Sequence, residues 1–189
     1  MKLRSFATAL AVLLTMAACS PSITIQSDFN PEVDFSKLRS FAWLPIMPAP
    51  TGDRRADSSI LAGRVRRATI ADLKGKGFKE VLPTAQPDFY VAYQAAVDDK
   101  LSVRSTPTHY GYNGWWGPSM MGTQTTVHQY ELGTLIIDIV DRERDDLVWR
   151  GSGQAKMQKQ DTRTSAERDK DMTKAVQEIL KNFPPTASR

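Results

Sequence analysis

The stretch from Gln124 to Asp141, QTTVHQYELGTLIIDIVD, is the longest strand signal in the chain and limits its folds more than any other feature. It is rich in β-branched residues, and the charged run Arg142 to Asp146 (RERDD) ends it as a turn. Leu147 to Met157 (LVWRGSGQAKM) then returns as a hairpin partner. Gly133 is expected to mark a bulge that bends the long strand. Alternation places Asp138, set between Ile137 and Ile139, on the face of Ile136 and Val140. Either that face is partly exposed, or Asp138 forms a structural ion pair with a cation such as Arg150 on the returning strand.

Shorter strands are expected at Ile23 to Phe29, Ser40 to Leu44, Phe78 to Leu82 and Asp88 to Val97. In the last of these Phe89, Val91, Tyr93 and Ala95 share a face. A helix capped by Asp57 or Ser58 runs to about Lys74, with Ile60, Leu61, Val65, Ala68 and Leu73 inward and Arg64, Arg67 and Lys74 on a solvated face. A second helix starts at Thr164 with the capping-box spacing Thr-x-x-Glu, and Met172, Val176, Ile179, Leu180 and Phe183 form its core side. The fold class read from this order is α+β, a mostly antiparallel sheet with two principal helices packed on one face.

The N-terminus sets the compartment. Lys2 and Arg4 precede an uncharged stretch, Phe6 to Ala18, and then Cys19. Those thirteen residues (6 to 18) fall short of the roughly 20 that a membrane-spanning helix needs. Residues 1–18 therefore read as a cleaved export signal. Met16-Ala17-Ala18-Cys19 resembles the bacterial lipobox, which implies lipidation of Cys19, the only cysteine in the chain. Each buried CH₂ of an acyl chain contributes about 0.8 kcal/mol, so the two or three chains implied would anchor the protein firmly. Ser20 after the cysteine is compatible with transfer to the outer membrane of a Gram-negative bacterium, on its periplasmic face. Residues 19–22 form a short tether, 23–185 a single periplasmic domain, and 186–189 a frayed tail.

Removing Lys2 and Arg4 with the signal lowers the basic count from 25 to 23 against 21 acids, a net charge near +2. The sequence pI of about 9.2 thus overstates the basic character of the mature chain, and a nucleic-acid role is set aside. His109 and His128 lie in no cluster with metal-ligand spacing. No nucleophile elbow is present, and Gly75-Lys76-Gly77 is too short for a phosphate loop. The expectation is a non-enzymatic protein with no cofactor and no metal.

Asp98 to Thr123 has little periodicity and is expected to be a long loop, either mobile or functional. It contains YGYNGWWG, in which Tyr110, Tyr112, Trp115 and Trp116 are separated by glycines. Such residues serve at protein interfaces, at the membrane–water boundary and in stacking on sugars. They can equally fold back over the sheet as a lid.

Taken in order, DFNPEVDFSKLRSFAWLP (28–45), KGKGFKEV (74–81), PDFYVAY (87–93), YELGTLIIDIVDRERDDLVWRGSGQA (130–155) and AVQEILKNFPP (175–185) resemble the bacterial lipoprotein family termed domain of unknown function 4136. The resemblance covers most of the mature chain and implies its fold and compartment, but no activity. The expected role is a binding or assembly module of the cell envelope, membrane-attached through Cys19, with an envelope protein or a glycan as partner. The alternative is a glycan- or lipid-binding protein that uses residues 110–117.

Overall fold

The computed structural model describes residues 23–44, 51–110, 120–157 and 161–185; at 103–110, 120–126 and 128 it describes the backbone alone. Six strands, β1 (Thr24–Phe29), β2 (Ser40–Trp43), β3 (Lys79–Glu80), β4 (Phe89–Tyr110), β5 (Met120–Asp141) and β6 (Asp146–Met157), form one sheet in the order β1-β6-β5-β4-β2-β3. Two helices accompany it, α1 (Ser59–Gly75) and α2 (Ser165–Leu180). The domain is α+β.

The sheet is mixed. β1, β6, β5 and β4 pair antiparallel, whereas β2 runs parallel to both β3 and β4. Parallel neighbours need a crossover rather than a tight turn. α1 supplies it, carrying the chain from β2 to β3. The β2 sequence SFAW has no local mark that distinguishes a parallel partner from an antiparallel one.

Phe41, Phe89, Val91, Ile137, Ile139 and Trp149 come from four strands and join Ala68 and Leu73 of α1 and Val176, Ile179 and Leu180 of α2 in one buried cluster. Phe183, just beyond α2, sits at its centre, with ring centroids 5.2 Å from Trp149, 5.6 Å from Phe78 and 5.7 Å from Phe89. The α2 N-terminus carries the capping box: Thr164 and Glu167 each accept the other's backbone N–H. Ser58 caps α1 by accepting the Ile60 N–H. Ile60 itself is exposed rather than part of the core side.

Three further expectations are corrected. Gly133 is no bulge, because pairing runs unbroken past it on both sides. The register shift falls between Ile139 and Val140 instead. The flexible side chain of Met157 covers Gly133, and a Cβ there would lie 2.8 Å from its Sδ. Residues 98–110 and 120–123 are strand rather than irregular loop, continuously paired from Val97↔Gly133 out to Tyr110↔Met120. Finally, α2 ends at Leu180, so Phe183 reaches the core from the following turn.

At the start of β2 and β4, the Asp88 carboxylate accepts the backbone N–H groups of Arg39 (2.8 Å) and Ser40 (2.7 Å) and the Ser40 hydroxyl (2.9 Å). Partial burial pushes its pKa up, but these bonds outweigh burial and hold it below the usual carboxylate value. With the folded pKa depressed, this stabilisation is present above the unfolded value of about 3.9 and is lost as pH falls through the lower folded value. Asp88→Asn is therefore expected to flatten the acid limb of a stability–pH curve measured by urea unfolding. Parallel acid limbs would contradict this role.

Among the described glycines, Gly151 leaves the least room for a side chain. A Cβ there would overlap Trp149 Cη2 and lie 2.8 Å from Ile179 Cγ2, and both residues are fully buried. Gly151→Ala should destabilise the domain by about 1–3 kcal/mol through overpacking, read as a lower urea midpoint at unchanged slope. An unchanged midpoint would contradict the packing described.

Candidate functional site

Side-chain volume falls along the core face of the sheet. From the end at which β4 starts to the end at which β1 starts, β5 presents Ile139, Ile137, Leu135 and Gly133, and β6 presents Trp149, Gly151, Gly153 and Ala155. The aromatic cluster fills the first end, and the small residues leave a groove at the second. That groove has a volume near 550 Å³, within the roughly 300–1,000 Å³ of small-molecule sites. Ala95, Gly133, Leu135, Ala155 and Met157 form its floor, and Leu61 of α1 and Met172 of α2 form its wall.

Arginines rim the groove, and carboxylates neutralise most of them. Arg55 contacts Asp53 Oδ2 at 2.8 Å and Glu131 Oε2 at 2.6 Å. Its hydrogen bonds hold the Asp53 carboxyl down at about 2. Arg64 donates to Asp169 at 2.6 Å and to Ser165 at 2.9 Å, joining α1 to α2. Arg163 and Arg168 both bind Asp161, whose carboxyl is held far below its ordinary value, chiefly by Arg163. Arg54 is exposed and has no such partner among the described residues. Arg64 was expected on the solvated face of α1, yet its side chain is only 14% exposed. Its partner lies 105 positions away, so no local pattern could have paired them.

Three features meet at this end. Ile23, where the described residues begin, lines the groove, so β1 is entered from this end. At this end β6 stops at Met157, opposite Glu131, whereas β2 has already stopped at Trp43, opposite Val91 near the other end. Beyond Glu131, β4 and β5 continue alone among the described residues as a two-stranded arm, 100–110 paired with 120–130. Eleven residues at about 3.3 Å each give roughly 35 Å. The apolar side chains of Leu101 and Val127 on this arm are 70% and 57% exposed. A lone two-stranded ribbon is marginally stable in water. At the arm's root, Arg55 holds Glu131, and Lys156 Nζ lies 4.6 Å from the Tyr130 ring centroid.

The backbone of Tyr110 pairs with Met120 as the last described pair of the arm. Tyr112, Trp115 and Trp116 lie outside the described residues, as do residues 1–18, expected as a signal, residues 19–22, expected as a lipidated tether, and residues 186–189. No group of histidine, cysteine and carboxylate side chains suited to a metal occurs among the described residues. None of the described helices is long and apolar enough to cross a membrane.

Asp138 and Arg150 stand directly opposite each other on β5 and β6. The guanidinium donates twice, Nε to Oδ1 at 2.6 Å and Nη2 to Oδ2 at 2.8 Å. Asp138 is 5% exposed although its neighbours Ile136 and Val140 are only half-buried, because Arg150 covers it. The geometry is that of a register clamp, since a one-residue slip would place this carboxylate on the apolar core face.

The sequence model described as domain of unknown function (DUF4136) matches residues 25–185, and the chain belongs to that family. No curated protein matches it. Among solved structures, a PDZ domain protein from Parabacteroides distasonis is similar in fold, with a TM-score of 0.53, 15% identity and coverage of 97% of this chain. The chain spans only 40% of that protein's length. The PelC dodecamer from Paraburkholderia phytofirmans aligns with a TM-score of 0.45, 8% identity and coverage of 84% of this chain and 95% of that one.

Arg150→Met is expected to cost about 1–3 kcal/mol by leaving the Asp138 carboxylate buried without its partner. The double variant Asp138→Leu with Arg150→Met should recover most of that loss. Additive losses in a double-mutant cycle by urea unfolding would contradict the clamp.

Proposed function

We propose that this chain is a non-enzymatic lipoprotein, held by lipidated Cys19 on the periplasmic face of the outer membrane, that acts as a binding or assembly module of the cell envelope. The arm is its contact element. The observation that supports this reading is the placement of the arm at the same end of the domain as Ile23, four residues after Cys19 in the sequence. From Cys19 to Ile23 the chain reaches on the order of 14 Å at about 3.5 Å per residue. The arm is more than twice as long, so an anchored domain brings it to the membrane surface or to whatever lies along that surface.

Exposed Leu101 and Val127 give the arm apolar contact area, and the sequence that joins its two strands carries the aromatic–glycine run 110–117. Large rigid rings carry much of the energy at protein interfaces. Among the described residues no other element extends comparably, and ion pairs such as Arg64–Asp169 and Arg150–Asp138 act between elements of the fold itself.

Two measurements test the reading in cells. Cys19→Ser should release the protein from the outer-membrane fraction, and retention there would contradict the anchor. Photo-crosslinkers at Leu101, Val127, Trp115 and Trp116 should give discrete adducts that are absent from a control at exposed Leu82. Adducts no stronger than the control would sink the contact role. Adducts that collapse on muramidase digestion would reassign the partner as a glycan.

A further inference from the structure

We infer that the groove between the sheet and the two helices takes one acyl chain of the protein's own lipid on Cys19 when the protein is away from the bilayer. This rests on the lipoprotein reading above. Four observations carry it. The interior is built from Ala95, Gly133, Leu135, Ala155, Met157 and Met172, so it recognises apolar surface. Of the four rim arginines, Arg55, Arg64 and Arg168 are paired with carboxylates and only Arg54 has no such partner among the described residues, so most of the rim charge is already neutralised. Its volume of about 550 Å³ is that of a site for one small ligand. Ile23 is part of its wall, and Cys19 lies four residues earlier in the chain.

The last point decides the occupant. A group on so short a tether is present at the groove at an effective concentration in about the millimolar range. The methionines also suit an acyl chain, because an unbranched thioether side chain adapts to irregular apolar partners. On the bilayer the same chain transfers to the lipid phase, and the groove empties toward the membrane because it opens at the anchored end. The groove thus lets a multiply acylated protein expose less hydrocarbon while it is in transit.

The test uses the full chain, labelled in growing cells with a photoreactive fatty acid, then extracted from membranes and freed of detergent. Irradiation should link the label on Cys19 to Met157 or Met172 within the same chain, as mapped by mass spectrometry. Ala155→Phe fills the floor and Leu61→Lys charges the wall; each should cut the internal adduct at least tenfold while thermal melting shows a folded protein. Using both keeps the test decisive if one variant fails to fold. Label on Cys19 with adducts only between chains, or internal adducts unchanged in both variants, would overturn the groove assignment and leave the anchor standing. Absence of label from Cys19 would overturn the anchor and this assignment together.

Discussion

The contacts around Phe183 are what the rest of the structure depends on. Its ring meets Phe35, Phe78, Phe89 and Trp149, and so joins the sheet to the segments that precede β2 and β3. Lys76, at the end of α1, donates to the carbonyls of Leu180 and Phe183 and places a cation where the α2 dipole favours one. The two helices are thereby fixed at one end of the sheet. Their spacing at the other end is set by Arg64 and Asp169 rather than by large apolar side chains. A wedge results, tightly filled by aromatics at its closed end and floored by glycine and alanine at its open end. The groove is a consequence of that taper.

Much of this was legible in the sequence, where local chemistry is decisive. The Thr164–Glu167 box and the Ser58 cap act within one helical turn, so their spacing suffices to place helix starts. The hairpin of β5 and β6 follows from strand-forming residues on both sides of a charged turn. The parallel pairing of β2, the Arg64–Asp169 link and the Arg55–Glu131 link join residues far apart in the chain, and nothing local encodes them. Gly133 shows a different limit. A glycine in a strand signals a close approach or a bulge, and only the unbroken pairing with Val97 and Ala155 distinguishes the two.

The arm escaped periodicity for a physical reason. Alternation reports one face in the core and one in water, and a ribbon without a covering layer has no such asymmetry. The segment DDKLSVRSTPTHY therefore reads as polar and irregular although its backbone pairs throughout. Pro107 is tolerated because each strand of the arm is also an edge. The residues singled out for the candidate site fall into two groups. Asp138 and Arg150 stabilise the sheet, whereas Tyr110 marks the outer end of the described arm, next to the aromatic–glycine segment.

Ile23, the groove and the root of the arm share one end of the domain, and the proposed anchor at Cys19 would turn that end to the membrane. The most direct measurement places single fluorophores, through introduced cysteines, at Val127 on the arm and at Glu143 in the β5–β6 turn at the opposite end. Each lipidated protein is then reconstituted in vesicles containing spin-labelled lipids. The account predicts strong quenching at Val127 and little at Glu143. Equal quenching at the two positions, or stronger quenching at Glu143, would contradict it.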